Sequence, residues 1–99
     1  MYMITITVNA DVSEAQQADM FPKHAAWFQK HFQAGHFLML GPFTDTDAHQ
    51  GVIFAQTESR AALQQILEED CYYPAFADYE IREFAPKLIS ADIINAAGV

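Results

Sequence analysis

The first hydrophobic pattern along the chain is a strict alternation over Tyr2–Val8, where tyrosine, isoleucine and valine occupy every second position. A period of two that includes β-branched residues predicts a half-buried strand. Gly51–Gln56 and Asp78–Phe84 alternate in the same way and predict two further strands. Phe37–Gly41 is a short, continuous apolar run, which is typical of a central strand covered on both faces. The pattern therefore predicts four strands.

The segment after the first strand carries apolar residues at helical spacing. Ser13 followed by Gln16 resembles a capping box, but Pro22 interrupts the stretch. We therefore expect a short lead-in and a main helix that has Pro22 in its first turn and stops at Gly35. The predicted apolar face of this helix consists of Phe21, Ala25, Phe28 and Phe32.

A second helix is predicted from Arg60 to about Glu69, with Thr57 or Ser59 as its cap. Its predicted apolar face consists of Ala62, Leu63, Ile66 and Leu67. The tail from Lys87 to Val99 fits a strand continuation, a short docked helix or a frayed end. We therefore divide the chain into one domain, residues 1–87, and a C-terminal extension, residues 88–99.

The order of the predicted elements is βαββαβ. With two right-handed crossovers and short loops, this order gives an α+β, ferredoxin-like fold: a four-stranded antiparallel sheet with both helices on one face. The strands carry apolar side chains at both parities, so the other face also needs a cover. A second copy that packs sheet against sheet is the simplest cover, and we predict a homodimer.

Charge and cysteine content limit the partners and the location. There are 5 Lys and Arg residues against 13 Asp and Glu residues, which gives a net charge of -8. Such an acidic surface repels phosphate groups and argues against nucleic acid and anionic membranes as partners. Cys71 is the sole cysteine, which excludes an intramolecular disulfide and a cysteine-based zinc site. Without a signal-peptide pattern or a long apolar run, we expect a cytoplasmic protein.

The four histidines differ in their predicted surroundings. His24 and His31 lie beside the apolar face of the first helix, so they are either packed boundary residues or functional groups. They are seven residues apart, which does not match the i,i+4 spacing of a helical zinc pair, and no metal or other cofactor is predicted. We expect His36 to offset the dipole at the helix C-terminus and His49 to be solvated in a polar loop.

Three acidic residues, Glu68, Glu69 and Asp70, end the second helix, where the macrodipole is already negative. They form either a solvated acidic end or a site in which one carboxylate, Asp70 above the others, orients a histidine. A carboxylate on one imidazole nitrogen fixes the tautomer and stabilises the imidazolium. Tyr72 and Tyr73 follow, and either present hydroxyl groups to the same pocket or pack as core or interface residues.

Four segments in a fixed order resemble the YciI-like (YCII-related) family of the dimeric α+β barrel superfamily. They are PKHAAWF at residues 22–28, AGHFLMLGPF at 34–43, GVIF at 51–54 and EDCYY at 69–73. The resemblance covers residues 1–87. It implies a sheet-to-sheet homodimer with a cleft that holds a catalytic pair, His24 and Asp70. Gly41 and Pro42 would shape the wall of a substrate pocket that we extend to Phe28, Tyr72 and Tyr73.

The chain departs from the family pattern at two positions. Cys71 follows Asp70 where the family often has proline, so the turn is less rigidly set. The basic residue often found shortly before the histidine is missing, since Asp19, Met20 and Phe21 occupy that region. This second departure argues against a clamp for an anionic substrate.

The family includes a dehydrochlorinase of a chlorinated hydroxyquinol and relatives that resemble muconolactone isomerases. The resemblance therefore implies acid–base chemistry on small cyclic or aromatic compounds. Our first hypothesis is a small cofactor-free enzyme, a lyase or an isomerase, in which His24 moves a proton and Asp70 orients it. The second is a non-catalytic dimeric module that binds a small ligand in the same pocket. The third is an accessory protein whose partner binds the acidic face. The separation of His24 and Asp70 discriminates best between these hypotheses.

Overall fold

The computed structural model describes all 99 residues and contains four strands and three helices. In chain order these elements are β1 (Tyr2–Val8), α1 (Glu14–Gln33), β2 (Phe37–Pro42), β3 (Gln50–Ala55), α2 (Arg60–Glu68), β4 (Ala77–Glu83) and α3 (Ile93–Ala97). The first six follow the predicted βαββαβ order. The architecture is the predicted α+β, ferredoxin-like fold, with one additional short helix near the C-terminus.

The four strands form one antiparallel sheet in the order β2-β3-β1-β4. The prediction that Phe37–Gly41 is a central strand was wrong, because β2 lies at the edge of the sheet. Phe37 is buried in the core, whereas Leu38 and Met39 remain exposed. A continuous apolar run indicates that both faces of a strand are apolar, but it does not show that the same chain covers both of them.

The core lies in a single layer between the sheet and the two long helices. The inward positions of the central strands contribute Ile4, Ile6, Ile53 and Ala55, and α2 contributes Leu63, Ile66 and Leu67. Alternate residues on the central strands, such as Thr5 and Phe54, are half-buried and lie on the opposite face. The sheet therefore has one face covered by helices and one face that the chain leaves open.

The first helix is longer than predicted. The capping box is present, with Ser13 Oγ accepting from the Gln16 backbone N–H and Gln16 Oε1 accepting from the Ser13 N–H. The helix then continues through Pro22, so the predicted interruption was wrong. Pro22 lies on the exposed side of α1, where solvent can hydrogen-bond the carbonyl that a proline leaves free. A proline in the interior of a helix destabilises it by about 3 kcal/mol. The N-terminal cap and the packing of the later turns of α1 outweigh this cost.

The buried face of α1 also differs from the prediction. Its buried residues are His24, Trp27 and His31, whereas Phe21 and Phe32 are 50% and 55% exposed. The cause is polar pairing, because each buried ring finds a hydrogen-bond partner in the interior. Trp27 Nε1 donates to the Ile66 carbonyl at 2.9 Å, and both histidines contact carboxylates. Buried polar groups that are hydrogen-bonded carry little penalty.

The tail forms a short exposed helix, α3, which ends at Gly98 in the left-handed conformation at φ 74°. Ile93 and Ile94 of this helix line a shallow groove together with Phe32 and Leu38. The division of the chain after residue 87 stays a prediction. None of the helices has the length and hydrophobicity needed to cross a membrane.

Candidate active site

A cavity of about 210 Å³ lies between α1 and the strands β2 and β3. Its walls include His24 and Phe28 from α1, Leu40, Gly41 and Pro42 from β2, and Tyr72 from the segment that follows α2. Five of these six residues were predicted from the sequence to belong to the site, and Leu40 was not. The structure therefore brings together segments that are far apart along the chain.

His24 and Asp70 are in direct contact, with His24 Nδ1 2.6 Å from Asp70 Oδ1. Both residues are buried, His24 to 6% exposure and Asp70 to 3%. The contact arises because the buried face of α1 carries His24, while Asp70 follows the C-cap of α2 and turns inward. A carboxylate can only accept hydrogen bonds. Nδ1 therefore carries the hydrogen of the neutral ring, and Nε2 is left with its lone pair.

The Nε2 atom of His24 is the end of this pair that has no hydrogen-bond partner in the chain. Because every fully buried side-chain nitrogen and oxygen of the protein does have a hydrogen-bond partner, Nε2 is not fully buried. Nε2 is thus accessible, and His24 is one of the residues that line the cavity. A ring anchored at Nδ1 with an accessible Nε2 has the arrangement of a general acid or base.

Asp70 is anchored from a second side by Tyr79, which the sequence analysis missed. The Tyr79 hydroxyl donates to Asp70 Oδ2 at 2.6 Å. Burial, and then this hydrogen bond, raise the pKa of the Tyr79 phenol, so the hydroxyl stays protonated and remains a donor. The signal in the sequence was the alternation of β4, which places Tyr79 at an inward position between Ala77 and Ile81.

Aromatic rings hold the His24 imidazole from several sides. Trp27 stacks on it with ring centroids 5.6 Å apart, and Phe28 and Tyr72 meet it edge-on at 4.2 and 4.8 Å. Phe21 approaches to 6.2 Å in a tilted arrangement. Such contacts restrict the rotation of the imidazole, and they keep Nε2 directed at one place.

The two adjacent tyrosines have different surroundings. Tyr72 lines the cavity, and its hydroxyl donates to Gln17 Oε1 at 2.6 Å. Burial raises the pKa of Tyr72 to about 12, so its hydroxyl is a neutral group committed to Gln17. Tyr73 does not line the cavity. Its hydroxyl accepts a hydrogen bond from Gln64 Nε2 at 2.8 Å, and its ring packs against Tyr79 with centroids 5.4 Å apart.

The glycine that close packing requires is Gly51 rather than Gly41. A Cβ atom at Gly51 would lie 2.9 Å from the Gly41 carbonyl oxygen, whereas a Cβ atom at Gly41 would meet nothing within 4 Å. Gly51 pairs with Pro42 across the sheet, and all three residues line the cavity. The close approach of β2 and β3 therefore forms this wall.

His49 and Gln17 are lining residues that the sequence analysis did not assign. His49 is exposed, as predicted, but it also lies at the cavity, and its carbonyl accepts from the Val8 N–H at 2.9 Å. Gln17 lies one turn into α1, in the segment that was predicted as a separate lead-in. The main helix, which carries His24, was predicted to begin at Pro22. Gln17 was therefore not expected to lie on the same helix as His24.

A second polar cluster lies at the other end of α1. His31 Nδ1 is 3.0 Å from His36 Nδ1, and His31 Nε2 is 3.3 Å from Glu69 Oε1, which also accepts from Lys30 Nζ at 2.5 Å. The expectation that His36 offsets the helix dipole missed this pairing with His31. The chain has no group of three His, Cys, Asp or Glu side chains placed to hold one metal ion.

This second cluster predicts how stability depends on pH. Burial lowers the pKa of His31 from 6.5, outweighing the hydrogen bond to Glu69 that acts in the opposite direction. The unfolded chain then binds this proton more readily than the folded chain. Stability from neutral His31 is therefore present above about pH 6.5 and is lost as the pH falls through the folded-state pKa. The hydrogen bond from Lys30 lowers the pKa of Glu69 from 4.5, so its contribution is lost at lower pH.

We expect the thermal midpoint to fall by a few degrees between about pH 7.5 and pH 5.5. The thermal midpoint of the His31→Gln variant should depend less steeply on pH. The control variant His49→Gln, which changes an exposed histidine, should show the same pH dependence as the parent protein. Calorimetry across the pH series measures all three. An unchanged slope in His31→Gln would contradict the assignment.

The chain matches the YCII-related domain over residues 1–85. It belongs to the YCII-related family. No curated protein matches this YCII-related chain by sequence.

Two solved structures share the fold of this YCII-related protein. A crystal structure of muconolactone isomerase superposes with a TM-score of 0.71 at 17% sequence identity, covering 91% of this chain and 93% of the other. The 5-chloro-2-hydroxyhydroquinone dehydrochlorinase of Burkholderia phenoliruptrix AC1100, in complex with 2,5-dihydroxybenzoquinone, superposes with a TM-score of 0.65 at 18% identity, covering 86% and 94%. The predicted family and the predicted α+β, ferredoxin-like fold are confirmed.

Proposed function

We propose that this YCII-related protein is a small enzyme of the lyase or isomerase type, in which His24 acts as the general acid or base on a small cyclic or aromatic compound. One observation carries the proposal. Nδ1 of His24 is 2.6 Å from Asp70 Oδ1, while Nε2 is accessible and His24 is one of the residues that line a cavity. A positioned acid or base of this kind contributes about 10²–10⁴-fold to a rate.

The chemistry follows from the anchored tautomer. Neutral His24 takes a proton from the substrate at Nε2, and the ionised Asp70 stabilises the imidazolium that forms. In an isomerisation, the ring returns the proton to a different substrate atom. In a dehydrochlorination, the electron pair of the broken bond to hydrogen forms a new π bond and expels chloride, and the His24 imidazolium then releases its proton to solvent.

The structural neighbours support this reaction class. One is an isomerase and the other a dehydrochlorinase bound to a six-membered ring compound. Both share the fold at 17% and 18% identity, so the case for this chain depends on its own His24–Asp70 geometry. A fold by itself accommodates many chemistries.

The direct experiment offers the chain the compounds for which its neighbours are named. Muconolactone isomerisation is followed by proton NMR, and chloride release from 5-chloro-2-hydroxyhydroquinone with a chloride electrode. Muconolactone carries a carboxylate and 5-chloro-2-hydroxyhydroquinone does not, and we expect the protein to accelerate chloride release from the second compound and His24→Asn to lose that acceleration. The control His36→Asn changes a histidine outside the cavity, and this variant should keep the acceleration. Binding of 5-chloro-2-hydroxyhydroquinone without chloride release would favour the non-catalytic ligand-binding module instead.

Tyr79→Phe is expected to lower kcat about tenfold, because the substitution removes one of the two hydrogen bonds that orient Asp70, each worth about 1.5–3 kcal/mol to a charged group. Without that donor, Asp70 stabilises the imidazolium more strongly, so the pH profile of kcat should move to higher pH. The control Tyr73→Phe removes a hydroxyl group outside the cavity and should leave the profile in place. A lower thermal midpoint with an unmoved profile would assign Tyr79 a purely structural role.

The open face of the sheet supports a homodimer as part of this proposal. In the register of the sheet, Met39, Phe54 and Met3 lie side by side across β2, β3 and β1, and Val52 and Thr5 form the next row. A second copy packed on this face would cover both rows. Light scattering should give twice the monomer mass, and Phe54→Lys should give a monomer. A monomeric parent protein would contradict sheet-to-sheet packing.

A further inference from the structure

We propose that the cavity selects an uncharged, oxygenated compound with a single ring, such as a phenol, a quinol or a neutral lactone, and rejects rings that carry a carboxylate. The inference rests on the proposed function, because it names the substrate class of the same site. Three properties of the site carry it: the charge of its walls, the charge of the His24–Asp70 pair and the size and polarity of the cavity.

The walls offer no permanently charged group to a ligand, and their basic side chains are the imidazoles of His24 and His49. None of the residues that line the cavity is Lys, Arg, Asp or Glu. A carboxylate that enters would lose hydration without gaining a cationic partner, and burial of an unpaired charge is strongly unfavourable. The net charge of -8 on the chain adds a long-range repulsion. Five Lys and Arg residues are present in the chain, and all of them lie outside this wall.

The catalytic pair does not attract an anion in either protonation state. When His24 is neutral, the pair carries the single negative charge of Asp70. When His24 is protonated, the two charges cancel. A cation is not favoured either, because both oxygens of Asp70 already accept hydrogen bonds, from His24 and from Tyr79. Asp70 itself is buried behind the imidazole and does not line the cavity.

The volume suits a ligand with one ring. The cavity measures about 210 Å³, and an apolar protein cavity of roughly 150 Å³ is sufficient to bind benzene. The remaining space accommodates a few substituents. Phe21, Phe28, Phe43 and Tyr72 lie around this space, and aromatic side chains pack favourably on a planar ring.

Two of the polar side chains that line the cavity, His24 and Gln17 of α1, indicate that the ring carries oxygen. Nε2 of His24 accepts a proton from the ligand, which requires an acidic C–H or O–H group. Gln17 Oε1 is occupied by the Tyr72 hydroxyl, so the amide NH₂ of Gln17 remains as a donor at the cavity wall. An amide donor pairs with a carbonyl, hydroxyl or ether oxygen of the ligand. A ring with an exchangeable proton and a neutral oxygen satisfies both groups.

Three ring compounds of nearly equal size test the charge preference: 4-hydroxybenzamide, which is neutral, 4-hydroxybenzoate, which is an anion, and 4-hydroxybenzylamine, which is a cation. Trp27 is the sole tryptophan of the chain and stacks on His24. The NMR signals of the Trp27 indole N–H and the His24 ring therefore report occupancy. We expect the amide to bind at least about tenfold more tightly than either charged compound, which corresponds to about 1.4 kcal/mol. Equal or tighter binding of a charged compound, or no shift with any of the three, would overturn the inference.

A charge placed at the cavity provides the complementary test. Ala48 lines the cavity in an exposed loop, whereas Ala61 is exposed on α2 away from it. Ala48→Lys should increase the affinity for 4-hydroxybenzoate several-fold, and the matched control Ala61→Lys, which adds the same charge, should not. An equal gain in both variants would mean that net charge, rather than the wall of the cavity, sets the preference, and would contradict the inference.

These binding measurements need no turnover, so the inference and the proposed function can fail separately. Binding that ignores ligand charge, together with an inactive His24→Asn variant, would overturn only the substrate class. Charge-selective binding together with an unimpaired His24→Asn variant would overturn only the catalytic role of His24.

Discussion

Replacement of His24 by asparagine is expected to reduce turnover by about 10²–10⁴-fold, the range that a positioned general acid or base contributes. The asparagine amide can still donate a hydrogen bond to Asp70, so the buried carboxylate keeps a partner. It has no basic nitrogen, however, and cannot take a proton from the substrate. We therefore expect the thermal midpoint to change by only a few degrees. Steady-state kinetics and calorimetry on the same preparation measure the two effects.

Asparagine is chosen at position 24 because it distinguishes a loss of catalysis from a loss of packing. His24 contacts four aromatic rings and is 6% exposed, so His24→Ala would also leave a cavity in the interior. The asparagine variant keeps more of the volume and one hydrogen bond. If His24→Asn is folded and turns over at the parent rate, the catalytic role is excluded. If it unfolds while His36→Asn remains stable, His24 is a structural residue.

Replacement of Asp70 by alanine is expected to have the largest effect on stability. It leaves the Nδ1–H of His24 and the hydroxyl of Tyr79 without their acceptor in the interior. Each unsatisfied buried donor costs about 1–3 kcal/mol, so the free energy of unfolding should fall by about 2–6 kcal/mol. Because small domains have only about 5–15 kcal/mol in total, the variant is expected to be marginally folded at 37 °C.

The matched control for Asp70→Ala is Glu68→Ala, which removes an exposed acidic residue near the same end of α2. This control should be neutral or slightly stabilising, since it removes a negative charge from the negative end of the helix dipole. Asp70→Asn keeps the volume but removes the charge that stabilises the imidazolium, so it should lose activity with a smaller loss of stability. Chemical denaturation gives the three free energies. Equal values for Asp70→Ala and Glu68→Ala would contradict the buried network.

Much of the fold could be predicted because its signals are local. The alternation in Tyr2–Val8 and the Ser13 capping box each depend on residues within one turn or one strand, and the structure contains both. The βαββαβ order then restricts the topology through the handedness of the crossovers. The position of β2 at the edge is a property of the whole sheet, and a hydrophobic pattern does not encode it.

The helix face was predicted incorrectly for a physical reason. A pattern of apolar residues assigns phenylalanine to the interior and histidine to its border, which placed Phe21 and Phe32 inside. In the folded chain, the interior supplies hydrogen-bond partners for His24 and His31, and these residues become the buried ones. The partners, Asp70 and Glu69, lie 46 and 38 residues away along the chain. The spacing of apolar residues along one helix does not reveal pairs of residues that are so far apart in the sequence.

Some residues of the candidate site could likewise be predicted from the sequence, and others could not. The acidic end of α2 could be noticed because three acidic residues at a helix C-terminus oppose the dipole, and Asp70 was assigned among them through the resemblance to the YCII-related family. Tyr79 and Gln17 could not be predicted as site residues. Each belongs to the site only through a hydrogen bond to a residue on another part of the fold. His49 lies in a polar loop, and its place at the cavity depends on how the β2–β3 connection folds back.

The most direct test of the central claim is the protonation of the two His24 ring nitrogens, read from nitrogen-15 NMR of histidine-labelled protein. We expect the neutral ring to carry its hydrogen on Nδ1, hydrogen-bonded to Asp70, and Nε2 to be unprotonated. In Asp70→Asn this preference should be lost. A neutral His24 ring with its hydrogen on Nε2, or a spectrum that Asp70→Asn leaves unchanged, would contradict the account, because Asp70 would then not orient His24 toward the cavity.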